Sequence, residues 1–110
     1  MERKEYNGWT NYETWVVKLW MDNEQGSQEY WAELAQETYD RHDTHEERME
    51  DAAYALADLL KTQHEEAQPE VTGVFADLIN ASMSEVNWHE IAASLLEDVD
   101  KDAEIGRAHV

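Results

Sequence analysis

Asn87-Trp88-His89-Glu90-Ile91-Ala92-Ala93-Ser94-Leu95-Leu96-Glu97-Asp98-Val99 carries the plainest structural signal in the chain. Trp88, Ile91, Ala92, Leu95, Leu96 and Val99 recur at the three- and four-residue intervals that share one face of an α-helix. Asn87 stands where a side chain accepts an orphan amide of the first turn, Glu90 follows three residues on, and Val86 and Ile91 hold the two positions of a hydrophobic staple. The apolar pattern stops after about Lys101. One helical domain over residues 1–101 is therefore expected, with 102–110 as a flexible C-terminal tail.

The same period extends backwards through the chain. Pro69 can open a helix bearing Val71, Val74, Phe75, Leu78 and Ile79, weakened locally by Gly73. A long helix over about 46–66 starts at the capping-box pair Thr44 and Glu47 and is striped by Met49, Ala52, Ala53, Leu56, Leu59, Leu60 and Gln63. Small residues at Ala52, Ala53, Ala55 and Ala57 let a neighbouring helix come close. Ser27 is the expected cap of a helix with Trp31, Leu34, Ala35 and Thr38 on its stripe and Tyr30 and Tyr39 at the edges. Gly26 belongs to the stop before it. The first helix is expected to begin at Thr10, with Glu13 completing a capping box, and to bury Tyr12, Trp15, Val16, Leu19 and Trp20. With no strand signal, these are about five amphipathic helices in a single-domain, all-α bundle.

Composition bounds what such a bundle does. The chain has 110 residues, 42% of them hydrophobic and five of them Trp, which is more apolar mass than a disordered acidic tail carries. Without cysteine there are no disulfides, thiolate metal sites or Cys nucleophiles. No run approaches the roughly 20 apolar residues of a membrane span, and the opening Met1-Glu2-Arg3-Lys4-Glu5 is unlike a signal peptide, so a cytoplasmic location is expected.

The net charge is −18, from 26 acids against 8 bases. That balance argues against direct binding of nucleic acid or an anionic membrane, both of which call for clustered Lys and Arg. It favours a basic partner. Residues 1–21 are neutral, 22–70 carry a net −12 and 71–110 a net −6. On the third helix Glu46, Glu47, Glu50, Asp51, Asp58, Glu65 and Glu66 face away from the apolar stripe and form the expected protein-binding face. A globule of this length has a radius of gyration of roughly 13 Å and a span of about 35 Å. Duplex DNA carries roughly 20 charges over that distance, similar to the net charge here. The competing explanation is that acidity serves solvation or salt adaptation, but that gives no reason to spare the first helix.

Chemistry is poorly represented. His42 and His45, beside Asp40, Asp43 and Glu46, have the residue types and spacing for a metal, yet His64, His89 and His109 supply no second ligand pair, so an exposed polar helix junction is expected and no metal or other cofactor is assigned. No nucleophile elbow and no phosphate-binding glycine loop occurs, and a non-enzymatic protein is expected. The tryptophans at 15, 20, 31 and 88 read as core. Tyr6, Trp9 and Tyr12, near the flexible Asn7-Gly8 pair, form either a lid on the core or an aromatic contact surface.

Two runs carry a resemblance. Asn7-Gly8-Trp9-Thr10-Asn11-Tyr12-Glu13-Thr14-Trp15 is similar to the opening of a group of small uncharacterised proteins of bacteriophages, plasmids and bacterial genomes. Val86-Asn87-Trp88-His89-Glu90-Ile91-Ala92 looks like their carboxy-terminal segment. The resemblance implies a phage or mobile-element setting and brings no catalytic residues. In size, helicity and acidity the chain also looks like the DNA-mimic anti-restriction proteins of phages. The expectation is an acidic protein that binds a basic protein surface, in its sharpest form a DNA-mimicking inhibitor of a host DNA-binding protein or defence nuclease. The alternative is an assembly module that self-associates, as an oligomer, through its aromatic N-terminal end.

Overall fold

The computed structural model describes residues 6–42 and 47–108. Five α-helices follow one another within them: α1 (Tyr12–Asn23), α2 (Gln25–Arg41), α3 (Glu47–Ala67), α4 (Val74–Ser84) and α5 (Trp88–Ala108). The fold is a single-domain all-α bundle. Its only sheet-like pairing among the described residues is an isolated bridge between Tyr6 and Trp9.

The core forms where α3 lies on α5, the most closely packed helix pair. Leu56, Leu60, Ile91 and Leu96 are completely enclosed there. Ala52, Ala53, Ala57 and Ala92 are buried among them, and their small side chains permit the close approach that the sequence implies. Helix α2 crosses both α3 and α5 through Ala35 and Thr38, with Trp31, Leu34 and Tyr39 packed at the margin. The buried Thr38 hydroxyl donates back to Leu34 O at 2.9 Å, which satisfies it without a partner from another helix. The Tyr39 hydroxyl donates to Asp100 Oδ1 at 2.7 Å and ties α2 to α5.

Helix α1 is rotated relative to the expectation. Its buried residues are Thr14, Lys18 and Met21, on nearly the opposite side from Tyr12, Trp15, Val16, Leu19 and Trp20 at 3.6 residues per turn. Trp20 is 63% exposed and Tyr12 50% exposed. Polar residues can take the inner face because each is satisfied there. Lys18 Nζ donates to both carboxylate oxygens of Asp22, at 2.7 and 2.8 Å, and Thr14 bonds into the next segment described below. The cap differs too: Asn11, not Thr10, accepts the Thr14 N–H at 2.9 Å.

Other boundaries also move. Glu24 alone separates α1 from α2, serving as C-cap of one and N-cap of the other in an extended conformation. Gly26 and Ser27 therefore sit in the first turn of α2, and the Ser27 hydroxyl donates to Glu24 Oε1 at 3.0 Å. Helix α5 stays helical through Ala108 rather than ending near Lys101, because loss of the apolar stripe does not interrupt a backbone with good helix formers such as Ala and Glu. The particle measures 56 × 35 × 24 Å with a radius of gyration of 15.3 Å, longer than the 35 Å span expected for a compact globule.

Helix α4 stands apart. Pro69 precedes it and Gly73 is its N-cap, at φ 67° and ψ −141°, a conformation that L side chains rarely adopt. None of its residues is buried, and among the described residues it packs closely on no other helix. Val74, Phe75 and Leu78, expected on a core-facing stripe, are 63%, 65% and 58% exposed. Gly73→Ala isolates the backbone effect, since an added Cβ would touch nothing within 4 Å. Strain of about 1–2 kcal/mol should raise amide exchange within α4 by roughly 5- to 30-fold. The global unfolding midpoint should stay put; protection in α4 that survives the substitution would contradict the account.

Candidate functional site

The two sequence runs that carry the resemblance meet each other. Asn7 and Gly8 both have positive φ, at 47° and 91°, and form a two-residue turn closed by Tyr6 N–H to Trp9 O at 3.0 Å and Trp9 N–H to Tyr6 O at 2.7 Å. Asn-Gly is the pair that such a hairpin turn demands, so the expected flexible dipeptide is a defined corner. It brings Trp9 onto the core margin and sets the Tyr6 ring 5.1 Å from Tyr12 and 4.9 Å from Trp15.

Beyond the turn, the N-termini of α1 and α5 exchange hydrogen bonds. Asn87 N–H donates to Thr14 Oγ1 at 2.8 Å, while the Thr14 hydroxyl donates to Asn11 Oδ1 at 2.6 Å. Asn11 Nδ2 donates to Glu85 O at 2.7 Å, and Thr10 N–H donates to Glu90 Oε1 at 3.1 Å. Asn87 caps α5 by accepting the Glu90 N–H at 3.0 Å, and Val86 and Ile91 are both buried, as the cap and staple signals indicate. Orphan amides at two helix starts are thus satisfied across the junction. Beside it lies an open cleft of about 540 Å³ lined by Trp9, Thr10, His89, Glu90, Ser94 and Glu97. This polar arrangement is structural: it fixes the N-terminal run on α5.

The acidic face divides into described and undescribed residues. Glu46 lies outside the described residues, and Glu47 is described by its backbone alone. Glu50, Asp51, Asp58, Glu65 and Glu66 are all exposed along α3. Exposed Glu29, Glu33, Glu37 and Asp40 form a second row on α2, one carboxylate about every 5.4 Å of helix. Compensation is slight. Arg41 stands 3.9 Å from Glu37 with both side chains about two-thirds exposed, a geometry of little energetic weight, and His89 Nε2 lies 3.4 Å from Glu50 Oε2.

A third surface is apolar. Tyr12, Val16 and Val17 of α1 face Leu78, Ile79 and Met83 of α4 across an open groove of about 360 Å³ with Val86 in its floor. One helical turn further, Phe75 continues the α4 face, while Trp20 lines a separate cleft with Tyr30, Trp31 and His64. Of these, Tyr12, Val16, Trp20, Phe75, Leu78 and Ile79 were expected on apolar stripes, with Tyr12 also a candidate aromatic contact, whereas periodicity singled out neither Val17 nor Met83. The neutral count of α1 conceals its layout: Lys18 is buried against Asp22, and the half-buried Glu13 is the charge that lines the groove.

The candidate metal cluster falls largely outside the described residues. His42 Nδ1 is 2.9 Å from Thr38 O, and Gln36 donates to Asp40 at 3.0 Å. Asp43 and His45 lie outside the described residues. Among the described residues no three His, Asp or Glu side chains group to hold an ion. No helix among them is long and apolar enough to cross a membrane.

The molecule is thus an all-α domain that presents acidic rows and an uncovered apolar groove, with its N-terminal run clamped to its last helix. Residues 2–101 match the model of a family of unknown function (DUF7249), and the chain belongs to that family. No curated protein and no solved structure matches it.

Proposed function

We propose that the chain is a non-enzymatic binding module for a basic protein surface. The observation that carries this reading is the pair of exposed acidic rows on α2 and α3, which hold their carboxylates on rigid helices with exposed Arg41 and Lys61 as sparse compensation among the described residues. Such a surface steers a cationic partner toward it and fixes register at short range. Keeping so many like charges together costs stability, a cost that solvation alone does not require to be concentrated on two adjoining helices.

The sharper form, a DNA-mimicking inhibitor of a nuclease or repressor, asks for more charge than the elongated particle supplies. Duplex DNA would carry about 33 charges along 56 Å, against a net −18 here. Recognition of a basic surface without duplex mimicry is the better supported form. Self-association through the aromatic end has a specific observation in its favour, the uncovered α1 and α4 faces, but its charge is unfavourable, as argued next.

Position, rather than total charge, tests the reading. Reversing Glu33 and Glu37 to Lys should weaken binding to a basic nuclease or repressor about tenfold more than reversing Glu97 and Asp98, which changes the net charge equally. Titrations in 0.05–0.3 M salt would measure both. Equal losses from the two pairs would reduce the acidity to general attraction and remove the proposal.

A further inference from the structure

The geometry points to the groove between α1 and α4 as the docking site for an amphipathic, Lys- or Arg-bearing helix of a partner protein. The inference takes the partner's positive charge from the reading above and adds a site that the acidic rows do not include. Three observations converge on it. The groove walls are helices, presenting Tyr12, Val16 and Val17 opposite Leu78 and Ile79. Phe75, 65% exposed, extends the α4 wall by a turn, to a length that two to three turns of a helix would cover. Exposed large side chains gathered in this way mark interaction sites, whereas scattered ones do not. Helix-in-groove recognition reads such a surface through anchors at i, i+4 and i+7.

Charge selects the occupant. Glu13 lines the groove, Glu85 is exposed at the end of α4 beside it, and among the described residues no ion pair engages either. From Thr62 to Asp100 the chain contains no Lys or Arg. A second copy docked face to face would bring these carboxylates against their own duplicates with no base to offset them. A helix with Lys or Arg flanking an apolar stripe would meet Glu13 and Glu85 with opposite charge while its stripe covers Val16, Phe75 and Leu78.

Three synthetic peptides provide the probe: a Leu/Lys helix with Leu at i, i+3, i+4 and i+7, a Leu/Glu helix with the same stripe, and a Leu/Lys scramble without one. At 0.15 M salt, where screening acts beyond about 8 Å, the Leu/Lys helix should bind at least tenfold more tightly than either control. Leu78→Ser and Phe75→Ser should each weaken it about tenfold. Both side chains are exposed and the α4 residue packed at the core margin is Met83, so neither change threatens the core, and far-ultraviolet dichroism would confirm it. Glu13→Gln should lower affinity for the Leu/Lys helix with the apolar walls untouched.

Binding that ignores Leu78→Ser and Phe75→Ser but falls on reversal of Glu33 and Glu37 overturns the groove and leaves the acidic-row reading in place. Loss of the acidic-row reading with groove-dependent binding retained has the opposite meaning. Equal affinity for Leu/Glu and Leu/Lys helices overturns the charge selection. A dimer in sedimentation that Leu78→Ser dissolves gives the groove to a second copy and overturns the proposal as well.

Discussion

Thr14→Val lowers the stability of the domain by about 2–3 kcal/mol although it leaves no cavity and removes no apolar contact. Thr14 is completely buried, and its hydroxyl both accepts the Asn87 N–H and donates to Asn11 Oδ1. Valine matches the side chain in volume but orphans the Asn87 amide, whose bond to Thr14 is partly buried, and a donor left unsatisfied away from water costs about 1–3 kcal/mol. Asn11 also loses the contact that holds its Oδ1 toward the Thr14 amide, so part of the α1 cap is lost. For a domain of this size the thermal midpoint should fall by roughly 10–15 °C. Thr14→Ser, which keeps the hydroxyl, should lose about 1 kcal/mol or less. Thermal or urea unfolding of both variants checks the ordering. Valine and serine variants of equal stability would show that the hydroxyl does not hold the N-terminal run to α5.

Helices α3 and α5 were legible because their apolar stripes coincide with what the fold buries. A stripe states which side of a helix avoids water only where apolar residues win that side. In α1 they do not: Thr14 and Lys18 take the inner face because hydrogen bonds to Asn87, more than 70 residues away in sequence, and to Asp22 remove the cost of burying them. Hydrophobicity does not register a partner that distant. The Lys18 and Asp22 spacing of four residues is a local signal that the ammonium can be satisfied, and it argues against placing Trp20 in the core. In α4 the stripe itself was found correctly, but periodicity reports an apolar face and not whether anything covers it. The acidic rows on α2 and α3 were readable as exposed positions, since Asp and Glu seldom enter a core unpaired. Their partner was not, because a field of one sign fits every cationic surface to some degree.

Leu56→Ala and Leu78→Ala make the same chemical change in two settings, and the contrast between them is the other large effect expected. Leu56 is wholly enclosed where α3 meets α5, within a cluster that includes Ala52, Ala53, Ala57 and Ala92. Those neighbours are too short to fill the space it vacates, so the substitution loses its transfer free energy and leaves a cavity besides. About 3 kcal/mol is expected, within the 2–5 kcal/mol range of such changes. That is a large share of the roughly 5–15 kcal/mol by which domains are stable. Leu78 is 58% exposed on a helix with no buried residue, and its truncation should cost under about 0.5 kcal/mol. Salt adds a second discriminant. With a net charge of −18, screening relieves self-repulsion and should raise the midpoint of every variant, while the gap between Leu56→Ala and the parent stays constant because it is not electrostatic. Denaturation at 0.05 and 0.5 M salt measures both quantities. A Leu78→Ala loss comparable to that of Leu56→Ala would mean that α4 is covered in solution, and the groove would have to be sought elsewhere.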